Sequence, residues 1–179
     1  MTYQEMYEQV EKFSNSSLFS NEKKVVSLIS ENSLTFVIAY LGIINSGKIV
    51  HLIPPNITEK NFIEQIMSSK SEIIICSDNA KKDFLNFKTE IPIFEFSTAI
   101  SKSTKNKNTS EINDIAYLIY TSGTTGEPKG VPISHNMVEF TTKNMINVLG
   151  YSNLDVNIIP LPLHHSFGLG CLHASIQVG

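Results

Sequence analysis

The sequence predicts an α/β fold, namely a doubly wound, mostly parallel sheet with flanking helices. From Val25 onward, short apolar runs alternate with segments of helical apolar spacing, a pattern typical of strand and helix units that wind a parallel sheet. Of the 179 residues, 41% are hydrophobic and 17% are charged, so the chain can bury a sizeable core. We therefore expect one domain, or one domain and a part of another.

The first block of the chain, residues 1–96, contains four predicted strands. They are KKVVSLIS, KIVHLI, EIIIC and IPIFEF, and the proline in the last run favours an edge strand or a strand start. A helix is predicted after Ser33, a favourable N-cap, with its end at Gly47. A second helix begins at Thr58, and AKKDFLNF is predicted as a short helix. The apolar stripe of the second helix is predicted to be Phe62, Ile63, Ile66 and Met67.

A polar stretch, residues 97–110, divides the chain. Serine, threonine, asparagine and lysine dominate this stretch, so it is predicted to be a solvated linker or a mobile loop. Residues 111–179 follow, with DIAYLIY and GVPISH as strands on either side of a loop. NMVEFTTKNMINVLG is predicted as a helix and DVNIIPLPL as another strand. We expect this part to form a hairpin and the start of a second, incomplete α/β layer.

Composition and charge exclude several kinds of partner. The formal net charge is −3 and all 14 basic residues are lysines, so no arginine is available for bidentate recognition of bases and no nucleic-acid partner is expected. Cys76 and Cys171 lack paired spacing and sit in apolar stretches, which favours reduced thiols. No apolar run approaches the roughly 20 residues of a membrane span, and the first residues do not resemble a signal peptide. We therefore expect a soluble cytoplasmic protein.

The segment YTSGTTGEPKG, from Tyr120 to Gly130, concentrates glycine and hydroxyl residues directly after a strand. Its glycines allow a close approach of a ligand, and its hydroxyls and consecutive N–H groups can surround an anion. Lys129 adds a positive charge, so a polyphosphate would fit this loop. A hairpin turn without a ligand uses the same residue types and remains an alternative. The Walker loop does not fit, because Lys129 lies between Pro128 and Gly130 and a strand is predicted to follow.

YTSGTTGEPKG resembles the phosphate-binding signature of the adenylate-forming superfamily, which includes acyl-CoA synthetases, peptide-synthetase adenylation domains and beetle luciferases. Three other segments occur in the order that the family has. TYQEM resembles the opening helix motif, AYLGIINSGKIVHLIPP resembles the segment around L-G-x-x-x-x-G, and PLPLHHSFGLG resembles the acyl-pocket motif. The resemblance extends over nearly the whole chain and implies the N-terminal region of an adenylate-forming enzyme.

The resemblance also implies roles for individual residues. His165 matches the histidine of the acyl-pocket motif and is expected near the substrate carboxylate or the adenylate, although a histidine satisfied at a strand end is an alternative. No metal site is expected among the histidines, because no nearby carboxylate or cysteine would complete the ligands. The residues expected to bind the phosphates of ATP are Thr121, Ser122, Gly123, Thr124, Thr125, Gly126 and Lys129. Those expected to shape the pocket wall and the following helix are Phe167, Gly168 and Gly170.

The implied reaction is the formation of an acyl adenylate from a carboxylate and ATP, followed by thioester formation with CoA. Mg²⁺ is expected to accompany ATP, with its ligands mostly outside this chain. A CoA ligase is favoured because PLHHSFGLG resembles that branch more than the peptide-synthetase domains. A non-catalytic nucleotide- or phosphate-binding module and an adenylating enzyme with another acceptor remain alternatives. Members of the superfamily are much longer, so we expect a catalytically incomplete chain that self-associates through exposed apolar surface.

Overall fold

The computed structural model describes residues 1–19, 24–78, 84, 86–104, 113–122 and 128–179, and the strands within them form one sheet. Its order is β4-β3-β1-β2-β5-β6, and every neighbouring pair is parallel except the antiparallel pair of β5 and β6. The predicted doubly wound, mostly parallel sheet is therefore confirmed. The strands are β1 (Val25–Ile29), β2 (Ile49–Ile53), β3 (Ile73–Cys76), β4 (Ile93–Glu95), β5 (Ile115–Ser122) and β6 (Pro128–Ser134).

The helices begin where the sequence provides caps. The side chains of Ser33 and Thr58 each accept a hydrogen bond from the backbone N–H three residues later, so both predicted N-caps are confirmed. The helix after Ser33 ends where predicted, because Gly47 follows its last turn with a φ of 76°. The helices are α1 (Tyr3–Ser14), α2 (Leu34–Asn45), α3 (Glu59–Ser69), α4 (Phe96–Ser101), α5 (His135–Leu149) and α6 (Ser166–Val178).

Alternate strand residues point to opposite faces of the sheet, and each face packs into its own apolar cluster. On one face, Val26 and Leu28 share a cluster with buried residues of α1, α2 and α6. On the other face, Ile29 and Ile53 pack with buried residues of α3. Because helices cover both faces, the carboxyl edge of the parallel strands is left for the loops.

The predicted stripe of α3 is wrong at Met67, whose side chain is 74% exposed. Phe62 and Ile66 are buried as predicted, and Gln65 is buried beside them. The buried face therefore passes through position 65 rather than 67, because the positions that follow Phe62 at helical spacing are 65 and 66. A polar residue, Gln65, thus contributes to the buried face, which an apolar stripe does not predict.

The segment DVNIIPLPL forms no strand, so that prediction is wrong. Val156 and Ile158 are 93% and 88% exposed, and no described strand pairs with them. Pro160 and Pro162 have no N–H group to donate to a sheet ladder. The segment therefore has the alternating apolar pattern of a strand, but no described strand lies beside it to form a sheet.

The predicted linker, residues 97–110, begins differently from the prediction, since residues 97–101 lie in α4. Ala99 is fully buried there, which anchors α4 on the core. Residues 105–110 and most of AKKDFLNF lie outside the described residues, so the mobile loop and the short helix stay predictions. The division between residues 1–96 and 111–179 also stays a prediction, although β5 pairs with β2 and so joins both parts in one sheet.

Within the described ranges, each helix is too short or too polar to span a bilayer.

Candidate functional site

The glycine- and hydroxyl-rich segment lies at the end of a β-hairpin. β5 runs parallel to β2, so its carboxyl end lies at the edge where open α/β sheets bind ligands. β6 returns antiparallel, and Thr121 is directly opposite Lys129. The backbone of Ser122 pairs with that of Pro128, while its side chain is not described. Four of the predicted phosphate-binding residues lie outside the described residues, namely Gly123, Thr124, Thr125 and Gly126.

Thr121 and Lys129 are the two predicted phosphate-binding side chains that the structure describes, and it brings them together. Directly opposite residues of an antiparallel pair project from the same face, so the hydroxyl and the ammonium group extend side by side. Both residues are exposed, and in the described part of the chain Lys129 has no ion pair. This pair could donate hydrogen bonds and positive charge to an anion at the end of the hairpin.

Tyr120 joins the loop end of this hairpin to α3. Its hydroxyl lies 2.6 Å from the Ser68 Oγ and donates to the Gln65 carbonyl at 3.4 Å. Its ring covers Gly130 on the opposite strand, where a Cβ would come 3.0 Å from the Tyr120 Cζ. Such an aromatic ring over a cross-strand glycine shields the exposed backbone. This contact was not predicted, although Tyr120 and Gly130 bound the glycine-rich segment in the sequence.

His51 lies beneath the Tyr120 ring, with the two ring centroids 4.9 Å apart. The His51 side chain is fully buried, and its Nδ1 lies 2.9 Å from the Ser27 Oγ and 3.3 Å from the Ser71 Oγ. Burial lowers the pKa of His51 to about 4, and nearby Gln65 acts in the opposite direction. The His51 Nε2 nevertheless has no hydrogen-bond partner among the described residues. His51 is therefore a neutral packing residue near neutral pH.

His165 occupies the N-cap position of α6 and is exposed, rather than lying at a strand end. Its side chain does not cap the helix, so the ring is free to contact a ligand. The first turn of α6 adds unpaired N–H groups and the positive end of the helix dipole. The neighbouring His164 ring lies 4.6 Å away, and the pKa of His164 is lowered to about 4 by burial and, secondarily, by His165.

The other predicted residues of this motif lie on α6 in different surroundings. Gly168 is buried, and a Cβ there would lie 2.4 Å from the Pro162 carbonyl oxygen, so only glycine permits this approach. At Gly170 a Cβ would meet the Met145 Sδ at 3.1 Å. Phe167 is 63% exposed, and its role in a pocket wall stays a prediction.

His165 and the hairpin lie on separate elements of the fold. No described hydrogen bond or ring contact joins His165 to Thr121 or Lys129, so their action on one ligand stays a prediction. Elsewhere on α6, the His173 Nε2 bonds to the Tyr40 hydroxyl at 2.9 Å, and burial lowers the pKa of His173 to about 4. Within the described ranges, no group of three or more His, Cys, Asp or Glu side chains could hold a metal ion.

Relatives with known names match this chain over most of its length. Oxalate–CoA ligase from Saccharomyces cerevisiae is 27% identical over 80% of this chain and 33% of that protein. Tyrocidine synthase 3 from Brevibacillus parabrevis is 24% identical over 98% of this chain and 3% of that protein. The chain thus spans a third or less of these relatives.

Solved structures show the same fold. The o-succinylbenzoate CoA synthetase from Bacillus subtilis, in complex with its acyl-adenylate intermediate, superimposes with a TM-score of 0.86 at 22% identity. That match covers 100% of this chain and 48% of the synthetase. The model of the AMP-binding enzyme family matches residues 1–179. The chain therefore belongs to the AMP-binding enzymes of the adenylate-forming superfamily.

Proposed function

We propose that the protein carrying this chain forms an acyl adenylate from a carboxylate and ATP and then transfers the acyl group to CoA. The opposed pair of Thr121 and Lys129, at the carboxyl end of β5, is the observation that carries this proposal. A hydroxyl donor and an ammonium group on one face suit the phosphate tail of ATP, and membership of the AMP-binding family supports this ligand. The chain spans only part of its relatives, so it would act together with further polypeptide.

In this reaction an oxygen of the carboxylate attacks the α-phosphorus, and the bond from that phosphorus to the β-phosphate oxygen breaks. Pyrophosphate leaves with the bonding electrons, so negative charge accumulates at the end of the hairpin. Lys129 would neutralise part of this charge, and the Thr121 hydroxyl would donate to a phosphate oxygen. Ser122, Gly123, Thr124, Thr125 and Gly126 would complete the phosphate-binding loop. The protein would contribute positioning and electrostatics rather than a nucleophile.

His165 would act on the carboxylate substrate rather than on the phosphates of ATP. Its exposed ring, next to the N-terminal turn of α6, can donate a hydrogen bond to the carboxylate or to the acyl adenylate. Mg²⁺, when bound with ATP, would neutralise phosphate charge. The described residues offer no cluster of ligands for it, so we assign it none.

The acceptor distinguishes the two candidate enzymes. CoA is favoured because PLHHSFGLG resembles the motif of CoA ligases, and one relative is named as an oxalate–CoA ligase. Another acceptor remains the second candidate, because tyrocidine synthase 3 and gramicidin S synthase 2 also match most of the chain. In either case the first step would be the same adenylation.

Carboxylate-dependent exchange between ATP and pyrophosphate tests the adenylation step in the protein as its gene encodes it. We expect Lys129→Ala and Thr124→Ala each to lower the exchange rate by about 10- to 100-fold, because each removes a donor to developing charge. Lys143→Ala is the matched control, since Lys143 is an exposed lysine on α5 that pairs with Glu139. Unchanged exchange in both loop variants would remove the hairpin from the mechanism.

A panel of carboxylates, assayed with and without CoA, tests the second step. Consumption of CoA with release of AMP supports a CoA ligase, whereas an adenylate that forms but leaves CoA unconsumed supports another acceptor. Binding of ATP without exchange for any acid would instead indicate a non-catalytic nucleotide-binding module.

A further inference from the structure

Asn32 lies in the short loop between β1 and α2, at the carboxyl edge of the sheet. This loop is held by its own hydrogen bonds, since the Ser30 hydroxyl donates to the Glu31 carbonyl at 3.0 Å and Ser33 caps α2. Ser30 is buried, and both neighbouring elements contribute to the core. Asn32 is therefore an exposed side chain on a well-anchored backbone.

The Asn32 carboxamide binds the chain just before His165 with two good hydrogen bonds. Its Nδ2 donates to the Leu161 carbonyl at 2.8 Å, with a longer bond of 3.4 Å to the Ile159 carbonyl. Its Oδ1 accepts from the Leu163 N–H, also at 2.8 Å. The orientation of the amide follows from these partners, because a carbonyl needs a donor and an N–H group needs an acceptor. We call this pair of bonds to Leu161 and Leu163 the Asn32 clasp.

The clasp replaces backbone pairing that this segment lacks. No described strand pairs with it, and Pro160 and Pro162 remove two of its N–H donors. An amide side chain offers N–H donors and a carbonyl acceptor, as a neighbouring strand would. The Leu163 side chain, only 5% exposed, adds an apolar anchor at the same point.

Two close contacts of Pro162 connect the clasp to the start of α6 and to His165. The His165 N–H donates to the Pro162 carbonyl at 3.1 Å. Pro162 lies between Leu161 and Leu163, the two residues that Asn32 binds. The first turn of α6 then packs against the same carbonyl, where Gly168 leaves no space for a Cβ. These contacts connect Asn32, through residues 161–163, to the N-cap position of His165.

We infer that Asn32 is a positioning residue for His165, holding the acyl-pocket motif at the carboxyl edge of β1 so that the His165 ring meets the carboxylate. This role rests on the proposed adenylation activity. Asn32 acts through the backbone of residues 161–163 rather than through contact with the substrate.

The experiment uses Asn32→Ala in the full protein, with Asn157→Ala as the control. Asn157 is an exposed asparagine of the same segment, and its side chain makes no hydrogen bond among the described residues. We expect Asn32→Ala to raise the KM for the carboxylate about tenfold, the effect of losing one or two hydrogen bonds, with the KM for ATP changed less than about twofold. Amide hydrogen exchange at Leu163 should rise by a similar factor. Asn157→Ala should change none of these values.

A second variant separates the two bonds of the clasp. Asn32→Asp keeps an acceptor for the Leu163 N–H but directs a carboxylate oxygen at the Leu161 carbonyl. We therefore expect the Leu163 amide to stay protected while the KM for the carboxylate still rises.

Two results would overturn the inference. Unchanged exchange at Leu163 in Asn32→Ala would show that the clasp does not hold the segment. Faster hydrogen exchange at Leu163 with equal rises in the KM for the carboxylate and the KM for ATP, or with a rise in neither, would show a structural contact without a positioning role. A wild-type protein that catalyses no carboxylate-dependent exchange of pyrophosphate would refute the proposed function and, with it, the catalytic part of the inference. Amide hydrogen exchange at Leu163 would still show whether Asn32 holds the segment.

Discussion

The buried imidazole of His51 shows how one side chain can make the stability of this fold depend on pH. His51 sits on β2 between Ser27 and Ser71, with the Tyr120 ring above it. Its neighbours are hydroxyls and an amide, and none of them supplies a negative charge that would favour the protonated ring. Protonation would therefore place an uncompensated charge in the interior.

We predict that His51→Asn weakens the dependence of stability on pH between pH 6.5 and pH 4. The folded protein binds the His51 proton only near pH 4, whereas the unfolded chain binds it near 6.5. The unfolded state thus holds more protons in this window, and stability falls as the pH falls, by about 1 kcal/mol per pH unit for one such histidine. Urea unfolding at several pH values measures the slope.

The variant should retain part of the slope, because His164 and His173 also have a pKa lowered to about 4. An equal m-value for both proteins would show that His51→Asn leaves the folded state intact. Identical slopes in the two proteins would mean that His51 takes up its proton at the same pH in the folded and unfolded states.

At the scale of elements, the junction between residues 160–165 and α6 depends on close backbone contact. Asn32 supplies hydrogen bonds to this junction, and Gly168 supplies space. β5 and β6 form the hairpin of the candidate site, and the Tyr120 hydroxyl joins it to Ser68 of α3. In both cases a polar side chain joins distant parts of the chain, since Asn32 bonds to the backbone of Leu161 and Leu163 and Tyr120 bonds to the Ser68 hydroxyl.

We predict that Gly168→Ala destabilises the protein while Gly170→Ala does not, although both lie in α6. The new Cβ at 168 would press on the Pro162 carbonyl, which is backbone and cannot yield without moving the Asn32 clasp. We expect a loss of about 1–3 kcal/mol, as for other overpacked sites. At 170 the neighbour is the flexible end of Met145, and alanine gains up to about 1 kcal/mol of helix propensity over glycine. Chemical denaturation of both variants measures the difference, and equal stabilities would contradict the packing argument.

At the scale of the whole molecule, apolar side chains are exposed along residues 154–158 and on α5. The most exposed are Leu154 at 88%, Val156 at 93%, Ile158 at 88% and Val148 at 82%. The solved relative with a TM-score of 0.86 is about twice as long as this chain. Apolar surface of this kind favours association with other polypeptide.

We predict that the 179-residue chain self-associates with rising concentration and that Val156→Lys with Ile158→Lys suppresses this association. A charge at these positions would make burial of the segment costly. Sedimentation velocity over a range of concentrations measures the effect. Met67→Lys is the control, because Met67 is an exposed apolar side chain on α3. An equal effect of Met67→Lys, or a monomer at every concentration, would contradict this prediction.

Most of the fold could be predicted from the sequence because its signals are local. The caps at Ser33 and Thr58, the glycine stop after α2 and the run of apolar strands each depend on residues close in the chain. The hairpin of β5 and β6 also followed from its strands and its glycine-rich loop. DVNIIPLPL failed because a strand needs a partner, and its alternating pattern cannot show whether one exists.

The sequence by itself determined the family, the sheet and the hairpin around the glycine-rich loop, since these follow from local spacing and from motif order. Only the tertiary structure decided that Asn32 holds the segment before His165, that Tyr120 reaches α3 and that His51 is buried without a charge partner. Each of these contacts joins residues 50 or more positions apart, or depends on what surrounds a side chain in space. Chain spacing carries no information about such contacts until the elements are packed.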